Sequence, residues 1–380
     1  MPLLETDGSE HLEYNISQEG NATFSSNKYD NITLSDPGQS NITKAIVTLF
    51  HEYPPALLSF GAACCIVFSI IGIPGNLISI GALARSPRLR NATTTFIINL
   101  CVADAIFCAF SIPLSASTFL RRKWVHGDAL CVLFPLIRYS NVAVSLLSVV
   151  AITVNRYVLI VHPQKYKSIY KKHWIAIMVA AIWLFSFICL LPPLLNVWGK
   201  FGFDPTVGTC TILKVNGRSP KVFLYVFAFV LPSVAFVICY SRIFCVVRKA
   251  HKNIKERPDN TRTEGGPKSP RILLQQLREK FHPSSEFSGK RKKELTKDIR
   301  LLRMILVIFF TFVICYLPVT IIKITRKEDD LPVINILGYV SIYFSSCINP
   351  IIYVLMSQEY RQAYKKCFNC SKDLTSSSSS

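Results

Sequence analysis

Seven long runs of apolar residues, separated by shorter polar or basic segments, set the pattern of this chain. They cover about residues 56–84, 93–120, 130–161, 173–195, 220–247, 300–324 and 333–356. Each run is near the roughly 20 apolar residues that a helix needs to cross a bilayer. The pattern therefore predicts an all-α membrane protein whose fold is a seven-transmembrane helix bundle.

Composition and charge support this class. Hydrophobic residues make up 50% of the chain and charged residues 17%, whereas ordinary soluble domains carry roughly 25% charged residues. The net charge of +20 suggests nucleic acid at first sight, but Lys and Arg gather beside the apolar runs, at 85–90, 165–172, 248–297 and 361–372. We expect these loops to face anionic cytoplasmic lipid, and we expect no nucleic-acid partner.

This orientation divides the chain into three predicted parts. Residues 1–55 form an extracellular N-terminus, residues 56–356 form the bundle with a long cytoplasmic loop at about 250–293, and residues 357–380 form an amphipathic helix and a cytoplasmic tail. The N-terminus is expected to be disordered and glycosylated, since it carries four Asn-X-Ser/Thr sequons, at Asn15, Asn21, Asn31 and Asn41.

The cysteines predict one disulfide. Most of the 13 cysteines lie in apolar runs or in the cytoplasmic tail, where free thiols are expected. Cys131, at the outer end of the third run, and Cys210, between the fourth and fifth runs, fall on the oxidising side. We expect these two to pair and to tether their loop across the mouth of the bundle.

The C-terminal segment predicts a short helix along the inner leaflet, over residues 358–370. Cys367 and Cys370 are candidates for palmitoylation there, and ordinary reduced thiols are equally consistent with the sequence. The serines at 376–380 are candidate phosphorylation sites.

A set of short motifs follows the apolar runs in a fixed order. The motifs are Gly75-Asn76, Leu100 to Asp104, Cys131, Asn155-Arg156-Tyr157, Trp183, Pro232, Tyr240, Phe312, Cys315 to Pro318, and Asn349-Pro350-Ile351-Ile352-Tyr353. They resemble those of the rhodopsin-like (class A) G-protein-coupled receptors over about residues 56–370, most closely the invertebrate Moody and Trapped-in-endoderm receptors. Melatonin-type and medium-chain fatty-acid-type receptors are more distant relatives.

The resemblance implies a plasma-membrane receptor, N-terminus outside, whose extracellular ligand activates a heterotrimeric G protein of the inhibitory type. Arrestin, receptor kinases and membrane lipid are the further partners it implies. Two positions depart from the family pattern: Asn155 replaces the usual acid before Arg156, which leaves Asp298 as the candidate partner of that arginine, and Tyr316 replaces the usual tryptophan. The implied G-protein switch comprises Asn155, Arg156, Tyr157, Tyr240, Asp298 and Tyr353.

Asp104 places a carboxylate in mid-membrane, where it needs polar partners inside the bundle. By resemblance this is the family's sodium and water pocket, so an allosteric sodium ion is the one candidate ligand ion, and no cofactor is expected. The alternative is a protonated Asp104 that links helices by hydrogen bonds. The candidate partners are Asn76, Asn141, Ser145, Ser346 and Asn349.

Arg138 predicts the charge of the ligand. It lies seven residues after Cys131, about 10 Å into the bundle, and its guanidinium does not deprotonate. The surrounding groups favour an anionic, partly apolar ligand, with an internal pair to Asp204 as the alternative. The predicted lining is Arg138, Tyr139, Tyr316, Lys323, Tyr339 and Tyr343.

Nothing in the sequence predicts an enzyme. It contains no histidine cluster at metal-ligand spacing, no Gly-rich phosphate loop and no nucleophile with a nearby base. The alternative from another functional class is an ion-coupled transporter, with Asp104 and Arg138 as the charged residues of its pathway.

Overall fold

The computed structural model describes residues 53–204, 208–255, 285–325 and 332–377. The four predicted glycosylation sites and most of the loop at about 250–293 lie outside the described residues. The same holds for the side chains of Asp298 and Cys370, although helices pass through both positions.

Long helices make up nearly all of the described structure, as predicted. A 3-10 turn at Pro87–Leu89 and short helices at Pro163–Ile169 and Leu191–Leu194 connect them. The long helices are α1 (Pro55–Arg85), α2 (Ala92–Arg121), α3 (Gly127–Val161), α4 (Lys172–Ile188), α5 (Lys221–Lys255), α6 (Ser285–Thr325), α7 (Pro332–Met356) and α8 (Gln358–Ser377).

Six helices in the described part of the chain are long and apolar enough to cross a membrane, and a seventh crossing involves α4. Helix α4 reaches that criterion when it is joined to Pro163–Ile169, from which it departs at 75°. It ends at Ile188 because Pro192 and Pro193 lack the N–H groups that would continue its hydrogen bonding.

Three helices extend past their apolar runs. Helix α5 continues to Lys255 and α6 begins at Ser285, so both project beyond the apolar core at the same end of the bundle. Helix α8 reaches Ser377, seven residues past its predicted end. All three extensions are polar, and those of α5 and α6 are also basic, so hydrophobicity alone does not reveal them.

Helix α3 lies at the centre of the bundle and packs against α2, α4, α5 and α6, while α7 packs between α1 and α6. Large apolar side chains that remain exposed, such as Ile70, Leu184 and Val237, lie on the outer surface of spanning helices. In a bilayer this surface contacts lipid, which explains why these helices are apolar on their outer side as well as on the side that packs in the bundle.

Helix α8 is held on the bundle by its own apolar face. Tyr360, Ala363 and Tyr364 are buried, and their spacing places them on one side of the helix. The Tyr364 hydroxyl hydrogen-bonds with Ser79 of α1. Cys367 is partly buried against the same cluster.

A β-hairpin covers one end of the bundle, which is called the hairpin end below. Strand β1 (Lys200–Asp204) pairs antiparallel with β2 (Thr209–Leu213). Phe201 and Ile212 are buried against the helices. The predicted disulfide between Cys131 and Cys210 is present and ties β2 to the start of α3.

Removing this disulfide should destabilise the protein. Cys131→Ser or Cys210→Ser should cost about 2–5 kcal/mol, because the cross-link restricts the unfolded chain, and each should lower the amount of protein at the cell surface. Surface labelling and thermal unfolding in detergent measure both effects. Cys245→Ser, which changes an exposed free cysteine, is the matched control. Wild-type stability in both disulfide variants would contradict the prediction.

Candidate functional site

Near the hairpin end, aromatic rings surround Arg138. Arg138 is 8% exposed. Its guanidinium carbon lies 4.5 Å from the ring centroid of Tyr339, 5.7 Å from that of Tyr343 and 5.8 Å from that of Phe134. Cation–π contacts of this kind stabilise a positive charge away from water. They do not neutralise it, so the site keeps a full positive charge.

A second cation faces the same ring. Lys323 of α6 is 2% exposed, and its Nζ lies 5.6 Å from the centroid of Tyr339. Two positive groups thus face one buried ring, in a low-dielectric environment that strengthens the attraction of each for a negative group.

Asp204, the predicted internal partner of Arg138, lies next to a different cation. Its Oδ2 lies 3.9 Å from Nζ of Lys221 at the start of α5, so the acid proposed as an internal partner of Arg138 forms an ion pair with another cation. Beside this pair, Tyr139 hydrogen-bonds with Thr211 of β2 over 3.1 Å. The hairpin is thus joined to both α3 and α5.

The predicted ligand residues fall into two groups. Arg138, Lys323, Tyr339 and Tyr343 lie together, whereas Tyr316 lies deeper and stacks on Phe312 with ring centroids 3.9 Å apart. Tyr139 contacts Tyr225 of α5 edge to face, with ring centroids 6.3 Å apart. Tyr225 was not identified as a candidate from the sequence. Tyr225 sits in a run crowded with aromatic residues, so its role carries no signal in the sequence.

Asp104 lies at the middle of the bundle and is 2% exposed. Asn349 donates to its Oδ2 over 2.8 Å, and Ser145 donates to its Oδ1 over 3.3 Å. A cavity of about 10 Å³ adjoins these groups and is also lined by Ser345 and Ser346. This volume is about that of one water molecule or small ion, and carboxylate and hydroxyl oxygens are the donors that hard cations prefer.

Two of the residues predicted for this centre lie apart from the cavity. Asn76 donates instead to the backbone carbonyl of Ser346 over 3.0 Å and so joins α1 to α7. Asn141 is buried but does not line the cavity. Asp104, Ser145, Ser346 and Asn349 are therefore the residues that the structure brings together here.

At the end opposite the hairpin, Asn155 connects three elements. It is fully buried; its Oδ1 accepts from Thr93 of α2 over 2.5 Å, and its Nδ2 donates to the hydroxyl of Tyr166 over 3.3 Å. A carboxylate at this position could accept hydrogen bonds but could not donate one to Tyr166. The amide thus acts as a neutral link between α2, α3 and the short helix Pro163–Ile169.

A second tyrosine adjoins that link. Tyr166 stacks on Tyr170 with ring centroids 4.8 Å apart, and burial raises the pKa of Tyr170 to about 12. Both Tyr166 and Thr93 lie outside the predicted site. They come from segments without a distinctive motif, and hydrogen bonding across helices is not visible in a single sequence.

Of the other residues predicted for the switch, Arg156 is 6% exposed, and Tyr240 and Tyr353 pack in the apolar cluster at this end of the bundle. Tyr240 donates to the backbone carbonyl of Leu302 over 2.9 Å and joins α5 to α6. Tyr353 is fully buried, and its ring packs edge-on against Tyr360 of α8. Tyr157 instead points toward His162, with its hydroxyl 3.3 Å from Nε2, and is separate from this cluster.

Comparison with known proteins places the chain in a family. Residues 75–353 match the family described as 7 transmembrane receptor (rhodopsin family). The G-protein coupled receptor Moody of Drosophila melanogaster is 41% identical over 350 residues, which cover 84% of this chain and 52% of that protein. This chain thus spans about half the length of the Moody protein that it matches.

Further relatives and a solved structure support the same family. Protein trapped in endoderm-1 of Drosophila melanogaster is 39% identical, covering 83% of this chain and 79% of that protein. Melatonin receptor type 1A of Mus musculus is 28% identical, covering 82% and 81%. The crystal structure of squid rhodopsin superposes with a TM-score of 0.70 at 20% identity, covering 90% of this chain and 92% of rhodopsin. The chain is a multi-pass membrane protein that belongs to the rhodopsin family of seven-transmembrane receptors.

Proposed function

We propose that this protein is a plasma-membrane receptor that binds an anionic, partly apolar ligand at Arg138 and in response activates a heterotrimeric G protein. The N-terminus and the hairpin end face outside, and the end with Arg156 faces the cytoplasm. The concentration of Lys and Arg in the loops at that end supports this orientation.

The observation that carries the proposal is the buried guanidinium of Arg138, which packs among the rings of Phe134, Tyr339 and Tyr343. Burying a positive charge is costly in a membrane, and Asp204, the acid expected as its internal partner, pairs with Lys221. A carboxylate or phosphate of the ligand, placed between Arg138 and Lys323, would form charge-assisted hydrogen bonds. The tyrosine rings beside them would hold the apolar part of the ligand.

Coupling to the cytoplasm would run through the switch residues. Helices α5 and α6 are joined by the hydrogen bond from Tyr240 to Leu302, and both extend past the apolar core at the end of the bundle where Arg156 lies. An inhibitory-type G protein is the proposed partner. Receptor kinases and arrestin, acting on the serines at 376–380, and membrane lipid at α8 belong to the same proposal.

A paired screen tests receptor against transporter. The purified protein in lipid nanodiscs is mixed with an inhibitory-type heterotrimer, and nucleotide exchange is measured with anionic lipids, peptide acids and matched amines. We expect exchange with anionic compounds and none with amines. The same compounds are tested for flux into proteoliposomes. Flux without nucleotide exchange would replace the receptor with an ion-coupled transporter that uses Asp104 and Arg138.

Sodium at Asp104 forms a further part of this proposal. Replacing N-methylglucamine chloride with sodium chloride at constant ionic strength should lower agonist affinity roughly fivefold or more, a common size for coupling between sites. Asp104→Asn should abolish the difference, because the amide lacks the charge that attracts the ion. Radioligand or fluorescent-agonist binding provides the measurement.

Ser111→Ala is the matched control for that experiment, since Ser111 is buried in the same helix but does not line the cavity. It should keep the sodium effect. If sodium does not change affinity in the wild-type protein while Asp104→Asn lowers thermal stability, Asp104 acts as a hydrogen-bonding link between helices instead.

A further inference from the structure

An apolar cavity of about 90 Å³ lies between α3, α4, α5 and α6, next to the cationic site. Helix α3 contributes one stripe of residues to its wall, from Tyr139 to Leu147, which spans about 12 Å along the helix axis. Almost all of the lining is hydrocarbon or aromatic. A cavity of this kind does not hold ordered water, because water needs polar partners, so it is suited to an apolar guest.

The cavity opens toward the membrane. Three of its lining side chains also lie on the outer surface of the bundle, namely Phe185 of α4 at 45% exposed and Phe227 and Leu231 of α5 at 38% each. Helices α4 and α5 both pack on α3 and leave a cleft between them at this level. A molecule dissolved in the bilayer could enter through this cleft without crossing the hairpin.

The inner end of the cavity meets both the cationic site and the deeper aromatic stack. Tyr139 and Tyr225 form part of its wall and contact each other edge to face. Tyr225 also packs against the cluster that contains Tyr339 and Tyr343, the two rings beside Arg138. Phe312 and Tyr316, stacked on one another, form the wall toward α6. A guest in the cavity would therefore touch α6 two residues from Pro318, where the helix lacks a hydrogen bond and bends most easily.

We propose that the ligand is a single-chain anionic amphiphile, which enters from the outer leaflet with its head group at Arg138 and its hydrocarbon chain in this α4–α5 cleft. The inference rests on the proposed function, because it assigns the apolar half of the same ligand. Continuity of the wall at Tyr139 and Tyr225 supports a single molecule across both sites. The contact of its chain with Tyr316 would couple chain occupancy to movement of α6.

Photolabelling tests the assignment. The probes are hexadecyl phosphate and hexadecylamine, each with a diazirine at the end of the chain, added to the full-length protein in nanodiscs. We expect the phosphate probe to label peptides that contain Cys189, Leu224 or Ala228, which line the cleft. We expect the amine probe to label them at least fivefold less, because its head group is repelled by Arg138 and Lys323.

Variants separate the cleft from the surrounding lipid surface. Ala228→Trp and, independently, Cys189→Phe should fill the cleft and lower labelling by the phosphate probe at least fivefold. Ala180→Trp places the same bulk on an exposed part of α4 outside the cavity and should leave labelling unchanged. Arg138→Ala should also lower it, whereas free inorganic phosphate, which has no chain, should not compete at the concentration of the probe.

The outcomes distinguish the chain site from the head-group site. Equal labelling by both probes would mean that bulk lipid fills the cleft, and this would overturn the proposal. Labelling that depends on Arg138 but maps to other helices would keep the anionic head-group site and overturn only the assignment of the chain. Labelling independent of Arg138, with no nucleotide exchange for any anionic compound, would overturn the proposed function as well.

Discussion

Arg156→Ala should lower agonist-stimulated nucleotide exchange by at least tenfold while agonist affinity changes by less than about threefold. The residue lies at the end of the bundle opposite the proposed ligand site, which is also the end where α5 and α6 extend past the apolar core. A tenfold loss corresponds to about 1.4 kcal/mol of activation free energy. Exchange on a purified heterotrimer and agonist binding, both in nanodiscs, measure the two quantities separately.

Tyr157→Phe is the matched control, because the neighbouring tyrosine points toward His162 and away from the switch cluster. It should keep exchange within about twofold of wild type. If Arg156→Ala retained wild-type exchange, or if it lost agonist binding to the same extent as exchange, the assignment of Arg156 to the G-protein switch would be wrong.

Asn155→Asp tests the resting state of the same switch. A carboxylate there would still accept from Thr93, and it would place a negative charge beside Arg156, adding a charge-assisted contact to the resting state. Ligand-independent exchange should fall, since the added contact favours the inactive conformation. Unchanged basal exchange would show that the neutral amide does not set the resting level.

Arg138→Ala should weaken agonist potency by about 2 kcal/mol or more, roughly thirtyfold. The substitution removes the cation that is packed against Tyr339 and Tyr343 and leaves Lys323 as the remaining positive group at that ring. Concentration–response curves for nucleotide exchange, normalised to surface-expressed receptor, provide the measurement.

Two variants control for packing and for the hairpin. Arg138→Lys keeps the charge and should retain more potency than Arg138→Ala, although it loses the planar, two-pronged geometry of guanidinium. Asp204→Asn should preserve potency, because Asp204 pairs with Lys221. A strong effect of Asp204→Asn with none from Arg138→Ala would favour an internal contact of the hairpin over a ligand anion.

Much of the fold was predictable because a bilayer imposes long apolar runs. Helices α1, α2, α3 and α7 lie close to their predicted ranges for that reason. The end of α4 was not predictable from hydrophobicity, since the residues around Pro192 stay apolar after the helix has stopped. The extensions of α5 and α6 are helical but basic, and a hydropathy pattern does not detect polar helices.

The candidate sites were predictable where helical spacing applies. Tyr339 and Tyr343 are four residues apart on one face of α7, and both rings lie against Arg138. Asn155 was recognised as a departure, but its partners Thr93 and Tyr166 were not, because they come from other elements. Such contacts depend on how helices pack, which one sequence does not encode in any periodic pattern.

The α4–α5 cleft shows the same limit. Its walls combine residues from four helices, and none of them forms a motif. Tyr225 is one of four aromatic residues that alternate along α5 from Phe223 to Phe229, so spacing alone does not show which of them packs against Tyr139 of α3. The position of α5 against α3 determines which ring makes that contact.

The most direct test of the central claim compares two ligands that differ chiefly in charge, on two forms of the receptor. The strongest acid from the screen and its uncharged methyl ester are compared by nucleotide exchange in nanodiscs, on wild type and on Arg138→Met. We predict that the acid is roughly thirtyfold more potent than the ester on wild type and equal to it on Arg138→Met, with the ester unaffected by the substitution. Equal potency of acid and ester on wild type, or a cationic amine as the strongest agonist, would contradict the account.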